Sequence, residues 1–228
     1  MIKAIREVVF FKRHPDGWRL IKAGRCCLGI ILDMNCLPQS FYLGEVTGVA
    51  RALLGKRLVR QVDGRRVSGI ICETEAYRGE DDLACHAHSG KTRRNEVMYG
   101  LPGRAYVYFT YGMHWCLNTV CGEEGYPAAV LIRAILPEEG LEWIAARRAG
   151  VEPANWCNGP AKLTKAMGVD GGLNGTDLTD ANSPLFIEEG YIIEQAQIST
   201  SPRVGIQSAP EPWRSMPWRF TCSCRAGT

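Results

Sequence analysis

The stretch from Lys56 to Tyr77 constrains this chain more than any other. Two strand-forming runs, Lys56 to Val62 and Val67 to Cys72, flank Asp63-Gly64, the signature of an antiparallel hairpin. The second run continues as Ile70-Ile71-Cys72-Glu73-Thr74-Glu75-Ala76-Tyr77. As a strand, this segment sets Glu73, Glu75 and Tyr77 on one face, because side chains alternate with period two. A strand selected for stability alone keeps like charges apart on one face. Two carboxylates and an aromatic ring converging there suit hydrolysis of a bond beside a flat substrate.

The rest of the pattern extends that hairpin into one domain. Val46, Val49, Ala50, Leu53 and Leu54 recur at helical spacing, and Gly55 closes the helix. Arg104 to Thr110 and Ala128 to Leu136 are expected as further strands, Glu138 to Arg148 as a helix, and Pro160 to Met167 as another, stopped by Gly168. Leu185 to Ile187, Tyr191 to Glu194 and the apolar positions near Val204 are expected as short late strands. No repeat or low-complexity linker interrupts residues 37 to 220. The expectation is a single mixed α+β domain over residues 37–221, with 222–228 as a short tail. Residues 1–36 carry two apolar runs without helical period, and Met34 stands just before the patterned sequence at Cys36-Leu37-Pro38. They are expected to be an untranslated or disordered extension.

Composition narrows the function classes. The 46% apolar content supports a real core, yet no apolar run reaches the ~18 residues of a membrane span. Ala128-Ala129-Val130-Leu131-Ile132 is interrupted by Arg133 and reads as a buried strand. A net charge of +3 names no partner, although Lys91, Arg93 and Arg94 cluster near the candidate site and favour a phosphate-bearing one. The ten cysteines include no C-x-x-C pair, and only four histidines accompany them. With no secretory signal at Met1-Ile2-Lys3-Ala4, most of them read as small buried residues of a reduced intracellular protein, and no metal is expected.

Arg133 gives the carboxylates a role. A buried guanidinium needs an anionic partner, and a glutamate on a neighbouring strand would serve. A carboxylate held this way is expected to stay ionised and to serve as a general base towards water, a role worth roughly 10²–10⁴ in rate. Tyr106, Tyr108 and Tyr111 taken alone read as sheet core, although Tyr106 and Tyr108 share a face. Gly112 tips the balance at Tyr111-Gly112-Met113, since a tight turn there pushes Tyr111 and Met113 outward. Exposed apolar groups at a turn are what a wedge into stacked bases requires. His86 alone is ambiguous.

At this point ordered strings accumulate: Leu53-Leu54-Gly55-Lys56, Glu73 to Gly79, Asp81-Asp82 to His86, Lys91-Thr92-Arg93-Arg94-Asn95, Tyr106-Val107-Tyr108, Tyr111-Gly112-Met113, Val130 to Ala134, Asn158 to Leu163 and Arg203-Val204-Gly205. From Phe41 to about Phe220 the chain resembles the alkyladenine (3-methyladenine) DNA glycosylases of the mammalian type, which also occur in bacteria. The resemblance implies a curved, largely antiparallel β-sheet surrounded by helices. It also implies a monomer that acts on double-stranded DNA carrying damaged purines, without cofactor, metal or membrane, in the cytoplasm or nucleus.

Residue by residue, the resemblance implies Glu75 as the base that activates water and Arg133 as its partner. Tyr77, His86 and Tyr108 would stack on a flipped base, and Asn118 would crowd the amino group of normal guanine. Tyr111 would plug the vacated stack with Met113 beside it, while Arg93, Arg94, Lys162 and Arg203 would contact DNA. Glu73 is left a supporting role. No lysine falls in the matching pocket, so a monofunctional enzyme leaving an abasic site is expected. Two other classes stay open on the residues alone. One is a nucleic-acid-binding module without catalysis, which the presence of both Glu75 and Arg133 opposes. The other is a carbohydrate hydrolase using Glu73 and Glu75 as an acid–base pair, whose same-face spacing of ~7 Å fits inversion. That reading leaves the wedge and the basic cluster unexplained.

Overall fold

The computed structural model describes residues 9–14, 17–22 and 36–222. It comprises two units, Met1–Met34 and Asn35–Thr228. In the first, β1 (Val9–His14) pairs antiparallel with β2 (Gly17–Lys22), with Val9 opposite Lys22 and His14 opposite Gly17. Val9, Phe10, Phe11 and Trp18 are strand formers. The apolar run from Leu28 to Leu32 and the expected start at Met34 lie outside the described residues.

The second unit follows the expected α+β plan. Its elements are α1 (Val46–Ala52), β3 (Arg57–Val62), β4 (Arg65–Arg78), β5 (Ala105–Thr110), β6 (His114–Cys121) and β7 (Ala128–Glu139), then α2 (Leu141–Arg147), α3 (Pro160–Met167), β8 (Leu185–Glu188), β9 (Ile198–Ser201) and β10 (Arg219–Cys222). Eight strands form one antiparallel sheet in the order β5-β6-β7-β4-β10-β9, with β3 pairing both β4 and β8. The long β4 is the axis. Its first half pairs β3 and its second half β10, while β7 runs along its other edge from Ser68 to Arg78. Among the described residues no helix is long and apolar enough to cross a membrane.

Period-two alternation splits the sheet into two faces. Ile71 and Ala76 of β4, Val107 of β5, Leu117 of β6 and Val130 and Ile132 of β7 join the main core with α1 and α3. Thr74, on that same side, is buried and donates its hydroxyl to the Ala50 carbonyl at 2.8 Å, tying β4 to α1. The intervening residues Tyr77, Tyr106, Tyr108, Val120 and Ala129 belong to a second, aromatic cluster with Cys85, Ala87 and Met98. The catalytic candidates therefore stand on the face opposite the main core.

Several boundaries differ from expectation. Glu138 and Glu139 belong to β7, because Ser68 pairs with Glu139 in the ladder and Arg57 and Arg66 bind these two carboxylates. The helix after them thus starts only at Leu141. Tyr191 to Glu194 is not a strand, and β9 lies before rather than at Val204. Within the second unit two strands escaped the sequence reading: β6, and β10, whose last residue falls in the expected tail. Cys36, Cys72, Cys85, Cys116, Cys121 and Cys157 are free thiols, as expected of most cysteines, whereas Cys222 is disulfide-bonded.

Candidate active site

Glu73, Glu75 and Tyr77 do share one face of β4, and β7 brings Arg133 to them. The β4–β7 register shifts on both sides of Glu73, and Arg133 lies at this irregularity, between Ile132 and Ala134. Its Nε donates to Glu73 Oε1 at 2.7 Å and its Nη1 to Glu75 Oε2 at 3.2 Å. The Tyr77 hydroxyl donates to the same Glu75 oxygen at 3.0 Å, and the Val204 backbone N–H donates to Oε1 at 2.7 Å. Glu75 is 0% exposed and holds three hydrogen bonds.

Burial raises the proton affinity of Glu75 above the ordinary glutamate value, and Arg133, the Val204 N–H and the Tyr77 hydroxyl pull it back only in part. The guanidinium therefore favours the ionised form without lowering the proton affinity below the ordinary value. Removal from water outweighs the nearby guanidinium. A carboxyl poised upward is a stronger base once ionised, closer to the optimum for proton abstraction near neutral pH.

A cavity of about 320 Å³ opens on this face. Its lining includes Tyr77, His86, Tyr108, Asn118 and Arg133 together with Tyr106, Val204 and Pro160, and it extends to Thr110 and Tyr111 at the β5–β6 tip. Its size suits a planar group. Glu75 does not reach the cavity surface, but its three partners Tyr77, Arg133 and Val204 do.

The aromatic wall is ordered by its own contacts. The His86 ring meets Tyr108 edge-on at 4.4 Å, and Tyr108 lies 5.3 Å from Tyr106. Nδ1 of His86 lies 3.0 Å from the Tyr106 hydroxyl. Packing away from water, then Arg94 and His88, push the imidazole down to about 4, so it is neutral at pH 7. Whichever ring nitrogen carries the hydrogen, a neutral imidazole offers one donor and one acceptor. Tyr106 is buried and braces His86, which settles the choice between core and wall by giving it both parts. Asn118 is also buried and donates to the Tyr106 carbonyl at 3.0 Å, locking β6 to β5 beside the cavity.

At the β5–β6 tip, Tyr111 has φ 52° and Gly112 φ 67°, and Met113 N–H returns to the Thr110 carbonyl at 3.2 Å. A tight turn with both central residues left-handed suits Gly112 but strains a tyrosine, and such strain gathers at functional positions. Tyr111 is 80% exposed and Met113 68%. Arg93 is exposed; Arg94 lies over the Tyr108 ring at 5.3 Å and donates to the Phe109 carbonyl; Lys162 donates to Asn158 Oδ1 at 2.8 Å.

Arg203 is a correction. It is 5% exposed, binds both Asp82 oxygens at 2.5 and 2.9 Å, donates to the Ala76 and Trp213 carbonyls, and lies over the Tyr77 ring at 4.7 Å. With its hydrogen bonds directed inward it supports the site from behind and offers nothing to a phosphate. Sequence reasoning missed the Val204 N–H, Thr110, Cys116 and Pro160 as parts of the site, and Arg219 behind it. None of them carries a local signal except Cys116, which alternates in register with Asn118 on β6. Among the described residues no group of three or more His, Cys, Asp or Glu side chains stands close enough to hold a metal ion.

The arrangement couples a buried carboxyl and arginine to a flat, aromatic cavity with a protruding apolar tip. The pattern of methylpurine-DNA glycosylases matches residues 40–225. A protein of Methanocella arvoryzae named as a 3-methyladenine DNA glycosylase is 48% identical over 188 residues, 82% of this chain and 92% of that one. Proteins of the same name from Carboxydothermus hydrogenoformans and Bacillus subtilis are each 46% identical, covering 81% and 82% of this chain and 93% of their own lengths.

Proposed function

The chain belongs to the methylpurine-DNA glycosylase family, hydrolases of N-glycosyl bonds that act in DNA repair, and we propose that it excises damaged purines with Glu75 as its base. The observation that carries this reading is the burial of Glu75 behind the aromatic cavity, held by Arg133, Tyr77 and the Val204 N–H. The substrate class is 3-methyladenine, 7-methylguanine, hypoxanthine and ethenoadenine in duplex DNA, taken by a monomer.

A base within a duplex cannot meet this cavity, so it must be flipped at a cost of a few kcal/mol. Tyr111, with Met113, fills the vacated stack, as apolar wedges do elsewhere. Stacking on Tyr77, His86 and Tyr108 returns about 1–3 kcal/mol. Because the partners of Glu75 are themselves cavity wall, a small displacement of the Tyr77 hydroxyl or the Arg133 amino group opens Oε2 to a water. Glu75 takes a proton from that water as its oxygen attacks the anomeric carbon, and the electrons of the glycosidic bond leave with the base. An ionised Glu75 also stabilises the oxocarbenium character of the transition state. Methylated purines that already carry positive charge leave without an acid. Among the described residues no lysine lines the cavity, which supports plain hydrolysis over Schiff-base strand cleavage.

The test is excision from a duplex oligonucleotide containing hypoxanthine or ethenoadenine, followed by alkali. A strand break that appears only after alkali is expected, and Glu75→Gln should slow it at least a hundredfold, about 10², while duplex binding persists. A break without alkali overturns the hydrolytic reading. Full activity in Glu75→Gln overturns the assigned base. The carbohydrate-hydrolase reading loses its geometry here, since Glu73 is bound by Arg133 and Arg219 and does not line the cavity.

A further inference from the structure

Glu73 was left a supporting role, yet its contacts are more specific than support requires. One of its oxygens, Oε1, accepts from two guanidinium groups, Arg133 Nε at 2.7 Å and Arg219 Nε at 2.6 Å. Arg219 comes from β10, which lies against β4 with Arg219 opposite Glu75 and Thr221 opposite Glu73. Three strands therefore meet in one line of contacts running from Arg219 through Glu73 and Arg133 to Glu75.

We infer that Glu73 is a positioning residue: with Arg219 it fixes the tilt of the Arg133 guanidinium, so that only Nη1 meets the catalytic carboxylate. This rests on the reading of Glu75 as base. A guanidinium is a rigid planar fork that binds a carboxylate best through two parallel N–H groups. Arg133 instead meets Glu75 through one amino group, at 3.2 Å, and among the described residues its Nη2 has no hydrogen-bond partner. The Nε bond to Glu73 enforces that partial engagement. Freed from Glu73, the fork is able to close on Glu75 with two bonds. That closure would occupy the lone pairs a water needs and hold the carboxylate in its ionised, weakly basic form.

The effect has a definite sign. The groups facing Glu75 are Glu73 and Tyr77 on β4, Arg133 on β7, Cys116 on β6, Arg219 opposite it on β10, and the Val204 N–H beside Arg203. Removing the Glu73 charge and tightening Arg133 both lower the proton affinity of Glu75. They therefore act in the same direction.

The experiment measures single-turnover excision of 7-methylguanine from a duplex against pH. The cationic leaving base brings no titration of its own to the acid limb. Glu73→Ala is expected to lower the plateau rate about ten- to a hundredfold, as misplacement near a reacting centre does, and to move the acid limb down by about one unit. Glu73→Gln keeps a carbonyl acceptor for Arg133 Nε and should restore most of the plateau while leaving the limb displaced downward. An unmoved limb in either variant, or Glu73→Gln as slow as Glu73→Ala, overturns the inference. If Glu73→Ala does not fold, the limb and plateau of Glu73→Gln decide alone. Glu75→Gln measured alongside separates the two ideas. If it is active, the base assignment fails; if it is inactive and the Glu73 limb is unmoved, only the positioning role fails.

Discussion

Glu75 stands where burial and three donors pull its proton affinity in opposite directions, and burial prevails. That balance has a consequence for stability. A group whose folded-state affinity is raised contributes stability that is present below its unfolded pKa and is lost as pH rises through the folded value. The ordinary glutamate value is 4.5, so the loss occurs above that pH. Ionising Glu75 in the folded protein therefore costs stability that the protonated form does not. Glu75→Gln is expected to melt at pH 7 at or above the temperature of the parent, with the difference vanishing towards pH 4. Thermal melts across that range check it, and a large destabilisation at pH 7 would contradict the sign. His86 was legible in the sequence only as a candidate. Its neutral state and its bond to Tyr106 depend on packing that no local pattern encodes.

Among the elements, the β5–β6 hairpin carries the most testable assignment. Its tip places a strained, exposed tyrosine at the edge of the cavity, and the tip residue makes few contacts that the fold depends on. Tyr111→Ala should therefore leave the melting temperature within about 2 °C, in keeping with a surface substitution of under ~0.5 kcal/mol. Excision from duplex DNA should fall at least tenfold, because the vacated stack is no longer filled. Single-turnover rates on duplex and on single-stranded substrate separate this from a general defect, since the loss should be confined to the duplex. The turn was legible from Gly112, because few other residues follow an extended run with a left-handed bend. The strand behind it, β6, was not, because its register with β5 and β7 is set by partners far away in sequence.

Across the whole molecule, the buried Arg203–Asp82 pair joins the late segment to the loop after β4. Both side chains are 0% exposed. Removing one partner leaves an uncompensated buried charge, so Asp82→Ala should destabilise by about 3–5 kcal/mol. Denaturant unfolding measures this directly. Were Arg203 instead a DNA contact, Asp82→Ala would leave stability unchanged and strengthen DNA binding. The same pair bears on the site, because the next residue, Val204, delivers its N–H to Glu75 and Arg203 itself lies over Tyr77.

The sequence by itself determined the strand that carries Glu73, Glu75 and Tyr77, the helix stop at Gly168, the outward turn at Gly112 and the need for an anion beside Arg133. Each follows from a local rule: period-two alternation, a left-handed backbone, or the cost of an unpaired buried charge. Tertiary structure decided which carboxylate is sealed from water, that Arg133 is divided between the two, that Arg203 faces inward, and that Arg219 and the Val204 N–H belong to the arrangement. The reason is that burial and partnership are properties of contacts between distant strands. β10 lies against β4 across roughly 145 residues of chain, so nothing near Glu73 in the sequence announces its partner.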